Sequence, residues 1–225
     1  MKLSFNCWSI ELLDAKVPQE EVRKLYDRTA WFYDAWAILT ESKAQKRAIE
    51  IASIQNGTSI LDMAVGTGRL FREIMKSNSS GQNYGIDISQ GMLAKAKNKL
   101  SKQENQNYSL EIGSAFDIKM DDGSIDILFN NYMFDLIAFN QMVDIIKEFK
   151  RVLKPSGKLV LVNMTKGENF GANFYEFIYR ISPTLMGGCR GVQQTNLLTQ
   201  HGFQVKSREY IQQMLFPSEV ILAVR

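Results

Sequence analysis

Apolar residues in this chain follow two rhythms that take turns. Short, nearly unbroken apolar runs fall at 58–63, 83–88, 108–112, 125–130 and 158–163. Runs of that length without polar alternation suit strands buried on both faces of a parallel sheet. Between them the spacing becomes helical. The clearest case is Met142, Ile145, Ile146, Phe149, Val152 and Leu153, a stripe ended by Lys154-Pro155-Ser156-Gly157. Two helices are expected first: 18–38, with Pro18 in its first turn and Gln19, Glu20 and Glu21 at its positive end, and Glu41 to about Ser53, stopped by Asn56-Gly57. Residues 204–210 and 219–225 alternate, as antiparallel edge partners do. Strands and helices in turn predict an α/β fold, a doubly wound, mostly parallel sheet with helices on both faces.

One region breaks the alternation. Residues 165–192 gather Phe170, Phe174, Tyr175, Phe177, Tyr179 and Ile181, then Ser182-Pro183 and Gly187-Gly188. Following the fifth strand, this stretch is expected to cap the carboxyl ends of the strands, where open α/β sheets bind ligands. Residues 1–57 would form an N-terminal helical cap segment, and 1–225 a single domain.

Composition narrows the classes. The chain has 225 residues, 45% of them apolar, enough for one core. A formal charge of +3 is too small and dispersed for a nucleic-acid groove. Lys95, Lys97, Lys99 and Lys102 share a helix and are expected on a solvated face. Cys7 and Cys189 make no disulfide framework, and the first residues hold no apolar run long enough for a signal peptide or membrane span. A cytoplasmic setting is expected. His201, the only histidine, stands before Gly202 at a helix end, a structural position, and no metal site is expected.

The chemistry concentrates in Ser59-Ile60-Leu61-Asp62-Met63-Ala64-Val65-Gly66-Thr67-Gly68-Arg69-Leu70. An apolar strand ends at an acid, turns through small residues and opens a helix, so backbone can approach a ligand that any Cβ would displace. A dinucleotide fingerprint starting at Gly66 needs glycine at position 71, where Phe71 stands, which argues against NAD. A charged, phosphate-free nucleoside fits better, and S-adenosylmethionine (SAM) leads. Asp87, 19 residues beyond Gly68 at the second strand's end, is placed to accept both ribose hydroxyls. Ile88 and Met92 would flank the adenine, with Ser114 and Ala115 at the third strand's end around its edge. Asn130 or Asn131 would meet the methionine part, and Tyr132 and Asp135 would face an acceptor.

Together these residues resemble the class I SAM-dependent methyltransferases. The resemblance rests on Leu61 through Gly68, Gly85-Ile86-Asp87, Asp121 to Asp126, and Leu153-Lys154-Pro155-Ser156-Gly157-Lys158-Leu159. It implies a Rossmann-like sheet of seven strands. Within the superfamily the chain is most similar to the ubiquinone/menaquinone C-methyltransferase group. Ala64 stands where that group also has alanine, Tyr26-Asp27 and Tyr33-Asp34 resemble its tyrosine–aspartate motif, and Tyr175 to Gly187 its Tyr-x-Phe…Pro…Gly segment. Val65 departs from its usual glycine. The resemblance implies a cofactor site of Asp62, Ala64, Gly66, Gly68, Asp87, Ile88, Met92, Ser114, Ala115 and Asn130. It makes Tyr26, Tyr33 and Asp135 the residues able to orient or deprotonate an acceptor, and Tyr132, Tyr175, Tyr179 and Arg180 the acceptor's contacts. The acceptor would be small or lipid-like, such as a quinone or phenol, with peripheral membrane contact compatible and no nucleic acid involved. Phospholipid N-methylation and a non-catalytic SAM-binding regulator are the alternatives.

Overall fold

The computed structural model describes residues 14–15, 19–103, 107–167, 190–214 and 216–225. Two helices, α1 (Gln19–Thr40) and α2 (Ser42–Ala52), precede β1 (Ser59–Met63). Then come α3 (Arg69–Ser77), β2 (Gln82–Asp87), α4 (Gln90–Leu100), β3 (Tyr108–Ile112) and β4 (Ile125–Asn131). A 3-10 turn (Phe134–Leu136) leads into α5 (Phe139–Val152) and β5 (Leu153–Met164), and α6 (Thr195–Gln200), β6 (Gln204–Gln213) and β7 (Phe216–Val224) close the chain. The seven strands lie in the order β3-β2-β1-β4-β5-β7-β6. β1 to β5 run parallel, and β7 pairs antiparallel with β5 and β6.

That order reverses direction between β1 and β4, so β2 and β4 flank β1 and a crevice opens at their carboxyl ends. Both sheet faces are packed, which accounts for the unbroken apolar runs. Leu61, Leu128, Leu159, Leu161 and Ile221 face α5, and Ile60, Ile127, Phe129, Val160 and Val162 face α2 and α3. Truncating one such core side chain to alanine costs about 2–5 kcal/mol. α2 presents Ala44, Ala48 and Ala52 to the sheet, small residues at helical spacing that let it approach closely.

Three expectations need correcting. β7 is not an edge strand. It runs between β5 and β6 and is almost wholly buried. β5 begins at Leu153 and not at 158, because Leu153 pairs with Ile125 across an irregularity in the register and Ser156 takes a left-handed φ of 63°. Lys99 is not solvated: it reaches back to α1 and donates to Asp34 at 2.7 Å, because α1 packs across that face of α4. His201 caps the C-terminal end of α6, with Gly202 at φ 80°, as expected. Most of the 165–192 cap, including Tyr175, Tyr179 and Arg180, lies outside the described residues, as do Cys7 and Cys189. Among the described residues no helix is long and apolar enough to cross a membrane.

Candidate functional site

The glycine corner behaves as its residue types require. Ala64, Gly66 and Gly68 hold φ of 64°, 56° and 76°, the left-handed region. Their glycines serve different ends. A Cβ on Gly66 would meet nothing within 4 Å, since it would project into open cleft, whereas one on Gly68 would lie 3.1 Å from the Ala96 Cβ. Gly68 thus lets α4 pack against the turn, and Gly66 keeps space for a ligand. Ala64 carries its strain on two amides: its own N–H and that of Val65 donate to the Ile86 carbonyl, at 2.8 and 3.0 Å.

Asp87 closes this corner. One carboxylate oxygen accepts from the Gly66 N–H at 2.7 Å, the other from the Ser89 N–H at 2.8 Å. Burial pushes its pKa above the usual range. The backbone N–H groups oppose that shift, and neighbouring Asp27 adds to it. Asp62 is the second acid of the site, 1% exposed, with its Oδ1 unpartnered. Burial, then the charge of Asp87, push its pKa well above the ordinary carboxylate range. Two buried carboxyls beside one cleft give a local field that favours a cation.

A largely apolar cleft opens at these strand ends. Asp87, Ile88, Ser89 and Met92 line one side and Gly113, Ser114, Ala115 and Phe116 another. Asn131, Tyr132, Met133, Leu136 and Ile137 lie opposite. Ile88 is 47% exposed, a large apolar side chain available for a flat ligand to cover. A smaller, polar cavity adjoins, lined by Glu41, Gln45, Asp62, Thr67 and Arg69, and shares Ala64, Gly66, Asn131 and Tyr132 with the cleft. An apolar chamber thus runs into a charged one.

The structure brings together Asp62, Ala64, Gly66, Asp87, Ile88, Met92, Ser114, Ala115 and Tyr132. Gly68 stands behind the turn. Asn130 is fully buried, its side chain donating to the Met63 carbonyl at 2.8 Å, while adjacent Asn131 lines both cavities. Asp135 is fully buried in the 3-10 turn, outside the cleft lining. Tyr26 and Tyr33 fall on α1, and their side chains are outside the described set. Tyr132 is held at φ 49°, a strain of about 1–3 kcal/mol for a bulky residue. Its N–H donates to the Val162 carbonyl at 2.7 Å and its hydroxyl lies 2.8 Å from Ser218 Oγ. Arg190 is not a free cation. It is buried, donates to the carbonyls of Asp135 and Ile137 at 2.9 and 2.6 Å, and stacks on Phe139.

Helix α1 supplies two aspartates that the tyrosine–aspartate motif contains but to which the sequence alone assigns no role. Asp27 accepts from Ser89 Oγ and from the Gly91 N–H at 3.0 Å. Asp34 accepts from Thr67 Oγ1 and Lys99. Burial works against the Asp34 anion, yet these partners hold its pKa below the usual value. A Cβ on Gly91 would lie 3.1 Å from the Asp27 Cα, so glycine there admits the α1 backbone. The signal was a seven-residue spacing, two helical turns, which puts both acids on one face of α1.

The methyltransferase domain family matches residues 54–199, about two-thirds of the chain, and the matched stretch contains the whole glycine corner. The chain belongs to this family. Among curated relatives it is 29% identical over 164 residues to demethylmenaquinone methyltransferase of Tropheryma whipplei, covering 71% of this chain and 66% of that one, just under two-thirds. The enzyme of that name from Lactococcus lactis is 31% identical over 65% of this chain and 60% of its own length. That from Staphylococcus aureus is 24% identical over 93% and 89%. In fold the chain is similar to a SAM-dependent methyltransferase from Aquifex aeolicus, with TM-score 0.60 and 17% identity over 93% and 99% of the two chains. It also resembles the cyclase SpnF, with TM-score 0.75 and 16% identity over 95% and 98%. By family the chain carries a methyltransferase domain, and its Rossmann-like sheet is similar to that of the SAM-dependent methyltransferase structure.

Proposed function

We propose that the cleft binds SAM and that the protein methylates a small, hydrophobic acceptor of the quinone or phenol kind. The observation that carries the cofactor reading is the pair of buried acids, Asp62 and Asp87, flanking a turn that Gly66 keeps open. SAM is a cation with a ribose to bind, and the residues fit it. Asp87 has lone pairs beyond its two amide bonds for the ribose hydroxyls. Ile88 and Met92 face Ser114 and Ala115 across a slot suited to adenine. The unpartnered Asp62 Oδ1, with Arg69 and Asn131, suits a zwitterionic amino-acid end. SAM would supply an activated methyl group. The protein's part is then alignment, worth about 7–11 kcal/mol when two reactants are well oriented.

The apolar wall of Tyr132, Met133, Leu136 and Ile137 supports the acceptor class, as do the demethylmenaquinone methyltransferase names of the relatives. An acceptor that must lose a proton needs a base, for which Tyr26 and Tyr33 stand as proposals, with Tyr175, Tyr179 and Arg180 as acceptor contacts; Asp135, buried outside the cleft lining, is not placed for that task. A phospholipid acceptor would call for a phosphate clamp, and Arg190 is committed to backbone carbonyls. The test is SAM consumption against reduced quinones, phenols, amines and phosphatidylethanolamine, with mass spectrometry of the product. Methylation of a quinol or phenol is expected. Turnover confined to the phospholipid would replace this reading, and SAM binding without turnover on any acceptor would favour a regulator.

A further inference from the structure

An apolar prong stands at the edge of the cleft. Three of the large apolar side chains that remain exposed, Ile38 at 51%, Leu39 at 54% and Met214 at 68%, come from two distant segments. Gln213 ties them together. Its side-chain amide donates to the Ile38 and Leu39 carbonyls, both at 2.8 Å, and its carbonyl accepts from the Lys43 N–H at 2.8 Å. The turn between β6 and β7 is thereby stapled to the end of α1, with the three side chains outward. Because β7 runs antiparallel to β5, with Met164 opposite Ser218, this turn lies at the carboxyl end of β5, the edge on which the cleft opens.

Behind the prong runs an aromatic path to the cleft. Trp36 meets Phe216 edge-on with ring centroids 6.2 Å apart, and Phe216 meets Tyr132 at 5.8 Å. Tyr132 lines the cleft itself. Beside the prong, on the outer face of α2, Lys43 and Lys46 are exposed and in no ion pair among the described residues. Glu50 on the same helix and Glu209 are both paired with Arg47, and Glu41 is buried.

We infer that Ile38, Leu39 and Met214, flanked by Lys43 and Lys46, seat the protein on an anionic lipid bilayer, so that a lipid-borne acceptor meets the cleft from the Tyr132 side. Charge selects the occupant: apolar tips beside unpaired lysines match acyl chains beneath anionic headgroups. A second copy fits less well, because three half-exposed side chains offer far less than the roughly 800 Å² per partner of a stable protein interface. The inference rests on the hydrophobic-acceptor reading above.

The experiment is co-sedimentation of the full chain with vesicles of phosphatidylcholine alone and of phosphatidylcholine with phosphatidylglycerol, alongside SAM calorimetry. The parent should partition onto the anionic vesicles only. Ile38→Ser, Leu39→Ser and Met214→Ser combined should lower that partition at least tenfold, and Lys43→Gln or Lys46→Gln about fivefold each, with the effect fading in high salt. None should change SAM affinity, since all five side chains stand outside the cleft. No partition by the parent, equal partition of the triple variant, or a dimer abolished by that variant would overturn the inference. Failure of the parent to bind SAM would instead strike the cofactor reading, whatever the vesicles show.

Discussion

The two sides of the cleft are built in opposite ways. On the side proposed for the cofactor, each lining residue comes from a strand end and the turn that follows it: Asp62 with Gly66, Asp87 with Ser89, and Gly113 with Ser114. Backbone amides do much of the work, as in the Gly66 and Ser89 bonds to Asp87. On the side proposed for the acceptor, Tyr132 leans on Ser218 and Phe216, more than eighty residues away, and Phe216 on Trp36. The first side is set by local turn geometry, the second by distant packing. Substitutions on the cofactor side should therefore change SAM affinity with little loss of fold, and those on the acceptor side should do the reverse.

Gly66→Val is the strongest break. Its branched side chain would enter the open cleft, since no protein atom lies within 4 Å of the Cβ, and SAM affinity should fall by more than about a thousandfold, near 4 kcal/mol. The left-handed φ should cost only about 1–2 kcal/mol of stability. Calorimetry and thermal unfolding on one preparation measure both. If the variant fails to fold, the corner is a structural element before it is a binding one.

Asp27→Ala comes next, because it removes the acceptor of the Ser89 and Gly91 bonds that dock α1 beside the Asp87 carboxylate. SAM affinity should drop by about 1.5–3 kcal/mol, the worth of a hydrogen bond to a charged group. Asp27→Asn, which keeps one acceptor oxygen, should recover part of it. Equal losses would assign the effect to charge and not to docking.

Tyr132→Phe tests the other side. Losing the hydroxyl bond to Ser218 should cost about 0.5–1.5 kcal/mol of stability and shift acceptor KM more than SAM affinity. A change in SAM affinity alone would erase the contrast between the sides.

The smallest effect is a slope. The folded pKa of Asp62 lies above its unfolded value, so folding takes up a proton between the two. That contribution to stability is complete below the unfolded pKa and is lost as pH rises through the folded one. Chemical denaturation of the free protein should thus show a decline over this window that Asp62→Asn flattens. Binding a cation should pull the pKa down again, so SAM affinity in the parent should rise with pH. A slope that survives in Asp62→Asn belongs to Asp87 or to Glu219, whose pKa burial also raises.

The same contrast explains what was legible in the residues alone. The strand at 108–112 and the glycine corner were readable because apolar runs and small-residue turns are local patterns. The place of β7 was not, because alternation cannot say which neighbours a strand takes. Asn130 and Asn131 could not be told apart until β4 was seen to run to Asn131, turning the last side chain toward the cleft. Lys99 read as solvent-facing because nothing in α4 announces that α1 lies across it. The aspartates beside Tyr26 and Tyr33 take their role from Ser89, Gly91 and Thr67, partners more than thirty residues away that no local pattern names.

Asp87 is proposed to anchor the ribose of SAM in the cleft at the ends of β1, β2 and β4. Calorimetric titration of SAM into the parent and into folded Asp87→Ala tests it most directly. The parent should bind SAM saturably and show no NAD binding. The variant should lose about 2–4 kcal/mol, roughly thirtyfold to a thousandfold, as two hydrogen bonds to a charged group disappear. Equal affinity in the two proteins, or saturable NAD binding in place of SAM, would contradict the account.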